Sequence, residues 1–241
     1  MQPNFLTTRW SVVLQASGED SPLQREALAK LLQDNWFPLY VFVRRSGKSA
    51  EEAEDLIQGF FTKLLEKKML ASVEGASRGR FRNFLLVCLK NFIRDQWKKS
   101  SATKRGGGQC PVSIDYREAD RRMKLEPFHE QTPESAFDKA WGLEVVQRSL
   151  QEVQANWSNS GNAEMFEVLK AHLLPEDQVP SYTDTAAILK LNLSTLKAKI
   201  HRLRAEFRRV LCAQIADALG KHDVLEDEIN QLFSAICSQP K

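Results

Sequence analysis

The chain has 241 residues, 42% of them hydrophobic and 27% charged, which excludes disordered and fibrous classes and leads us to expect two compact domains. It has no run of about 18 apolar residues, and Met1-Gln2-Pro3-Asn4 lacks the basic-then-apolar order of a secretory signal, so no membrane contact and a cytoplasmic location are expected. The net charge of +3 hides an asymmetry: residues 78–105 carry +8 and residues 190–209 carry +6, leaving −11 for the remainder. An acidic body with two basic segments fits two contacts with a polyanion, because Lys/Arg clusters bind phosphates by releasing counterions. The alternative is two solvated helix faces. Cys88, Cys110, Cys212 and Cys237 include no C-x-x-C pair and the four histidines no H-E-x-x-H, so neither a disulfide framework nor a metal or other cofactor is expected.

Apolar spacings of three and four recur along the chain, without sustained two-residue alternation, and predict an all-α fold. Residues 23–45 hold an aromatic-rich apolar pattern (Trp36, Phe37, Tyr40, Phe42), expected to break or kink near Pro38 and to close at Gly47. Ser49-Ala50-Glu51-Glu52 is a capping box, and the helix behind it, expected to end near Met69, has the stripe Ala53, Leu56, Ile57, Phe60, Phe61, Leu64 and Leu65. That stripe leaves Asp55, Gln58 and Thr62 together on the outer face, suited either to docking on a basic helix or to plain solvation.

Residues 81–99 form a third predicted helix, with Phe81, Leu85, Cys88, Leu89 and Phe92 inward. Asn83, Lys90, Arg94 and Trp97 share its outer face, and Asn91 lies on the flank. Here cations alternate with aromatics, from Arg78, Arg80 and Arg82 through Trp97, Lys98 and Lys99. An exposed Trp among cations suits melted DNA, where stacking a base on an aromatic contributes about 1 to 3 kcal/mol. Packing of Trp97 against another helix is the alternative. Residues 100–133, with Gly106-Gly107-Gly108 and three prolines, read as a linker, with a short ordered piece near 112–116.

Thr132 is placed to cap, and Pro133 to open, a helix reaching residue 157. A break at 158–162, a helix over 163–174 and a second break at 175–180 follow. A short helix over 183–190 then meets the turn Leu191-Asn192-Leu193, with Asn192 suited to the left-handed conformation and Ser194 to capping a longer helix. In that helix Leu196, Ile200, Leu203, Phe207 and Val210 are spaced four, three, four, three, the pattern of a helix-turn-helix. The opposite face would offer Ser194, Thr195, Lys197, Ala198 and His201 to bases in a major groove, with Arg202, Arg204 and Arg208 on phosphates. A basic surface helix in a plain bundle is the alternative. Residues 213–241 read as an acidic helical extension whose Asp217, Asp223, Glu226, Asp227 and Glu228 could pair with the basic helix, bind a partner or face solvent.

Three motifs in register resemble bacterial RNA polymerase sigma factors of the extracytoplasmic-function type: Ala53-Glu54-Asp55-Leu56-Ile57-Gln58-Gly59-Phe60-Phe61, Gly79-Arg80-Phe81-Arg82-Asn83-Phe84-Leu85 running to Asn91, and residues 194–204. The opening residues 8–14 and Thr132-Pro133-Glu134 with Phe137, Asp138 and Trp141 resemble a planctomycete-like subgroup. The resemblance implies a domain over 1–100 that docks on core polymerase and opens the minus-10 element, a linker over 101–133, a minus-35-reading domain over 134–212, and the extension over 213–241. It implies that Asp55, Leu56, Gln58, Phe61 and Thr62 meet the clamp of the largest polymerase subunit. It also implies that Arg80, Arg82, Asn83, Lys90, Asn91, Arg94, Trp97 and Lys98 meet minus-10 DNA, with Asn91 where family members have a base-contacting asparagine and the segment 79–99 capturing a flipped non-template base. The distal domain would sit on the polymerase flap, and the implied partners are core RNA polymerase, promoter DNA and an anti-sigma factor or other regulatory protein. No enzyme chemistry is implied. A polymerase-independent helix-turn-helix regulator is the main competing reading. A nuclease using Glu51, Glu52, Glu54 and Asp55 is disfavoured, because helical spacing scatters the four carboxylates.

Overall fold

Apolar residues at three- and four-residue spacing dominate the chain, and its computed structural model is accordingly helical, with no strand among the residues described: 22–65, 81–100, 115–125, 132–173, 179–219 and 224–237. The helices are α1 (Pro22–Gln33), α2 (Trp36–Arg45), α3 (Ala50–Leu65), α4 (Phe81–Ser100), α5 (Tyr116–Leu125), α6 (Pro133–Asn159), α7 (Ala163–Leu169), α8 (Tyr182–Leu189), α9 (Leu193–Asp217) and α10 (Leu225–Cys237), with a 3₁₀ turn at Lys170–His172. None is long and apolar enough to cross a membrane among the described residues. The chain divides into two compact units, Met1–Glu144 with Ala216–Lys241, and Val145–Ile215.

In the first unit α2 is the central element, with Phe37 through Val43 all buried. The expected break falls at Asp34-Asn35 rather than at Pro38. Pro38 lies in the first turn of α2, where backbone N–H groups have no partner within the helix, so its ring costs no hydrogen bond. The chain leaves α2 through Gly47 at φ +87°. The capping box then forms: Ser49 N donates to Glu52 Oε2 at 2.9 Å and Glu52 N to Ser49 Oγ at 3.2 Å. The Ser49 amide, followed by Lys48, holds the Glu52 carboxyl below its ordinary range.

Two mid-helix glycines mark close helix approach. A Cβ on Gly59 of α3 would lie 3.2 Å from the Phe92 ring of α4, and one on Gly142 of α6 would lie 3.0 Å from Ile236 of α10. Glycine disfavours a helix interior by about 1 kcal/mol relative to alanine. These positions offset that through contacts a larger residue would block.

One stretch inside the expected linker is helical. Residues 116–125, inside the expected linker, form α5; Tyr116 is buried with its ring 5.6 Å from Trp36, and Arg122 lies 3.8 Å over the Phe37 ring and 2.6 Å from Glu144. The charged sequence hid this helix because Tyr116 and Arg122 are anchored on rings and a carboxylate distant in the chain. Residues 101–114, with the short ordered piece expected near 112–116 up to residue 114, and 126–131 lie outside the described residues. The bounds expected at 134 and 213 also differ from those of the two units. Phe137 and Trp141 of α6 complete the first core, with Trp141 6.4 Å from Phe81, and Leu232 of α10 is buried in the same unit.

The acidic extension is therefore more than a solvated helix. Arg82 of α4 is 4% exposed, with Nη1 3.1 Å from Asp138 of α6 and Nε 3.3 Å from Glu228 of α10, itself 4% exposed. Phe81 N also donates to Ala218 O at 2.9 Å. Removing one partner of a buried ion pair costs about 3 to 5 kcal/mol because the other charge is left uncompensated. With Asp138 still beside Arg82, Glu228→Ala should destabilise the first unit by about 3 kcal/mol, read as a lowered urea midpoint. An unchanged midpoint would show that Glu228 contributes nothing there.

Candidate nucleic-acid interface

In the second unit the α8–α9 connection sets the geometry. Ser181 caps α8, accepting from Asp184 N at 3.1 Å. Lys190 then takes the left-handed conformation at φ 52°, and Leu191 N donates to Ala186 O at 2.9 Å. Asn192 caps α9, its Oδ1 accepting from Thr195 N at 2.8 Å and from Ser194 Oγ at 2.7 Å. Both turn assignments thus shift by two residues from expectation: Lys190 rather than Asn192 carries the positive φ, and Asn192 rather than Ser194 is the cap. The reason for the second is that the amide oxygen of Asn192 reaches the free Thr195 N–H in the first α9 turn, a role that asparagine fills well.

Behind the cap, Leu196, Ile200, Leu203, Phe207 and Val210 are all buried. The stripe fixes the rotation of α9, and Ser194, Lys197, Ala198, His201, Arg202, Arg204, Ala205, Arg208 and Arg209 are exposed, with Thr195 half-buried. The predicted distal set is therefore displayed along one side of one helix. Arg204 is anchored through Nε to the carbonyl of His172 at 3.0 Å. His172 itself is buried, with Nε2 2.9 Å from Thr185 Oγ1 and its ring 5.2 Å from that of Tyr182.

In the first unit, α4 splits its predicted residues. Asn83, Lys90, Asn91, Arg94 and Trp97 are exposed, Trp97 at 77%. Arg82 is not on that face: it is the buried cation described above, so its expected DNA contact is corrected to a structural one. Lys90 Nζ lies 2.7 Å from Glu134 and holds that carboxyl below its ordinary range. Arg94 donates to Asn91 Oδ1 at 3.0 Å. Arg80 lies outside the described residues, as does the Lys98 side chain.

On α3, Asp55 is exposed while Leu56, Gln58 and Thr62 are half-buried, and Thr62 Oγ1 donates to Gln58 O at 2.9 Å. Phe61 is fully buried beside Phe60, their centroids 5.7 Å apart. Its expected place on a docking surface is corrected to the core, because it belongs to the stripe with Ile57 and Leu64. Sequence spacing also missed a juxtaposition: Asp55 and Leu56 of α3 share one groove of about 460 Å³ with Phe92, Ile93 and Trp97 of α4. The two residue sets assigned to different partners are thus neighbours. Among the described residues no three His, Cys, Asp or Glu side chains are grouped to hold a metal ion.

Comparison with protein-family models, curated proteins and solved structures found no match to this chain.

Burial, and then the Arg204 charge, lower the His172 imidazole below its ordinary 6.5. The unfolded chain takes up a proton near that pH that the folded unit refuses. Stability is thus complete above about pH 6.5 and falls as pH drops through this range toward the lowered folded value. The second unit should therefore lose resistance to urea between about pH 7.5 and about pH 5.5. His172→Gln should show a shallower loss; an identical pH profile in the variant would exclude His172 as its source.

Proposed function

We propose that this chain is a promoter-specificity subunit, a sigma factor of the extracytoplasmic-function type, that joins core RNA polymerase in the cytoplasm and directs transcription initiation. In this reading α8, the Lys190–Asn192 turn and α9 act as a helix-turn-helix for the minus-35 duplex. The exposed face of α4 receives the melted minus-10 strand, and Asp55, Leu56 and Gln58 of α3 meet the polymerase clamp.

The observation that carries the proposal is the face of α9. A buried stripe turns Lys197, Ala198, His201, Arg202 and Arg208 outward behind a tight, capped turn. Two small residues, Ala198 and Ala205, lie among them, so such a helix can enter a major groove closely. Trp97, 77% exposed on a second basic helix, adds a stacking surface suited to unpaired bases. Duplex binding alone needs no such surface.

The test is pull-down with core RNA polymerase followed by run-off transcription. Binding to core and promoter-dependent transcripts are expected, with Asp55→Ala weakening both. Failure to bind core at low salt would overturn the proposal, and tight duplex binding without polymerase would favour the independent regulator. Within the proposal, Lys197→Ala or His201→Ala should alter preference at the minus-35 element by about 1 to 3 kcal/mol per lost base contact, measured by titration of promoter variants. Equal losses on every variant would show that these residues do not read bases.

A further inference from the structure

We propose that Arg94 is a positioning residue of the first unit: it holds the Asn91 amide by its oxygen, so that the pair offers an unpaired base hydrogen-bond donors only and selects guanine or cytosine over adenine. Asn91 and Arg94 lie three residues apart on α4, one turn from each other, and both are exposed. Arg94 Nη2 donates to Asn91 Oδ1 at 3.0 Å. A guanidinium has no acceptor, so only the amide oxygen can face it, and the two N–H donors of Asn91 Nδ2 are left for another partner. The carboxylates nearby are directed elsewhere: Glu134 lies 2.7 Å from Lys90 Nζ, and Asp95 3.9 Å from Lys63 Nζ. Arg94 forms no ion pair among the described residues, and the Asn91 amide is its hydrogen-bond partner there.

An asparagine with its whole amide available suits adenine, because the oxygen accepts from N6 while the N–H group donates to N7. Arg94 closes that mode. Oδ1 keeps a second lone pair, but an adenine amino group approaching it would bring its N–H against those of the guanidinium. What the pair can satisfy is an edge with two adjacent acceptors. Guanine has one in O6 and N7, and an unpaired cytosine has one in O2 and N3. Thymine, whose O2 and O4 are separated by the N3–H donor, is intermediate. Trp97, 77% exposed and three residues beyond Arg94, supplies a stacking surface beside the pair. The unpaired base comes from the proposed promoter reading, on which this inference rests, whereas the Arg94–Asn91 bond does not depend on it. Arg94, expected from sequence to touch minus-10 DNA itself, thereby acts through Asn91.

The experiment uses the full chain joined to core RNA polymerase, with promoters whose minus-10 segment is held open by mismatches. Each non-template position of the open segment is given the four bases in turn. Affinity is measured by competition for wild type, Asn91→Ala, Arg94→Ala and Arg94→Lys. In wild type one position should prefer guanine or cytosine over adenine by about tenfold, and Asn91→Ala should level that position. Arg94→Ala should bring adenine there to within about twofold of the preferred base. Arg94→Lys, which still donates to the amide oxygen, should restore the preference. A direct phosphate contact or a merely structural role for Arg94 would instead lower affinity for all four bases equally, the former with a shallower salt dependence, and either result would overturn the positioning role. So would an Asn91→Ala variant that levels no position, or a wild-type preference for adenine at the position it levels. If wild type with core binds none of these promoters, the sigma-factor reading fails and the base choice with it. Normal binding with the same base ranking in Arg94→Ala would sink the donor-only pair alone.

Discussion

The burial of one apolar stripe on α9 is the constraint on which the second unit depends. Leu196, Ile200 and Leu203 are at most 2% exposed, so α9 cannot rotate without exposing them. A shift of a single residue turns the face by about 100° and would carry cations toward the interior. Burying an unpaired charge costs far more than burying a hydrocarbon yields. The outward basic face is thus a by-product of core packing. The Asn192 cap and the left-handed Lys190 fix where the helix begins, and hence which side chains lie in its first turns.

The first unit applies the same logic with charge as well as hydrocarbon. Burial of Arg82 between Asp138 and Glu228 joins α4 to α6 and α10, and the absence of a side chain on Gly59 and Gly142 lets neighbouring helices close in. A nominally uniform basic helix is thereby divided into one structural cation and an exposed set. Asp55, Leu56 and Trp97 share one groove, so the residues of the proposed clamp contact and of the proposed strand contact are neighbours. In the proposed sigma-factor role, that proximity would place polymerase docking beside strand capture.

Most helices were legible in the sequence because their signals are local. The capping box at Ser49, the Thr132-Pro133 start and the stripe from Leu196 each follow from spacing within about two turns. What escaped depends on partners distant in the chain. Arg82 looked like a DNA contact because its two carboxylates lie 56 and 146 positions away. Phe61 looked like a docking residue within its motif, although the stripe it shares with Ile57 and Leu64 already marked it as core. α5 was hidden by its charge, since Tyr116 packs on rings that are remote in sequence. The engagement of Glu206 by Asn156 and Trp157 was invisible for the same reason, since the partners lie about fifty positions apart.

In the proposed role one helix face contacts duplex DNA and another contacts melted strand, within a complex with RNA polymerase. Photo-crosslinking from positions 97 and 198, in complexes of the chain with core polymerase and promoter DNA, tests it most directly. Crosslinks are expected from position 198 to upstream duplex, and from position 97 to the opened non-template strand, the latter only when polymerase is present. Crosslinks from neither position, or from position 97 to duplex DNA without polymerase, would contradict it.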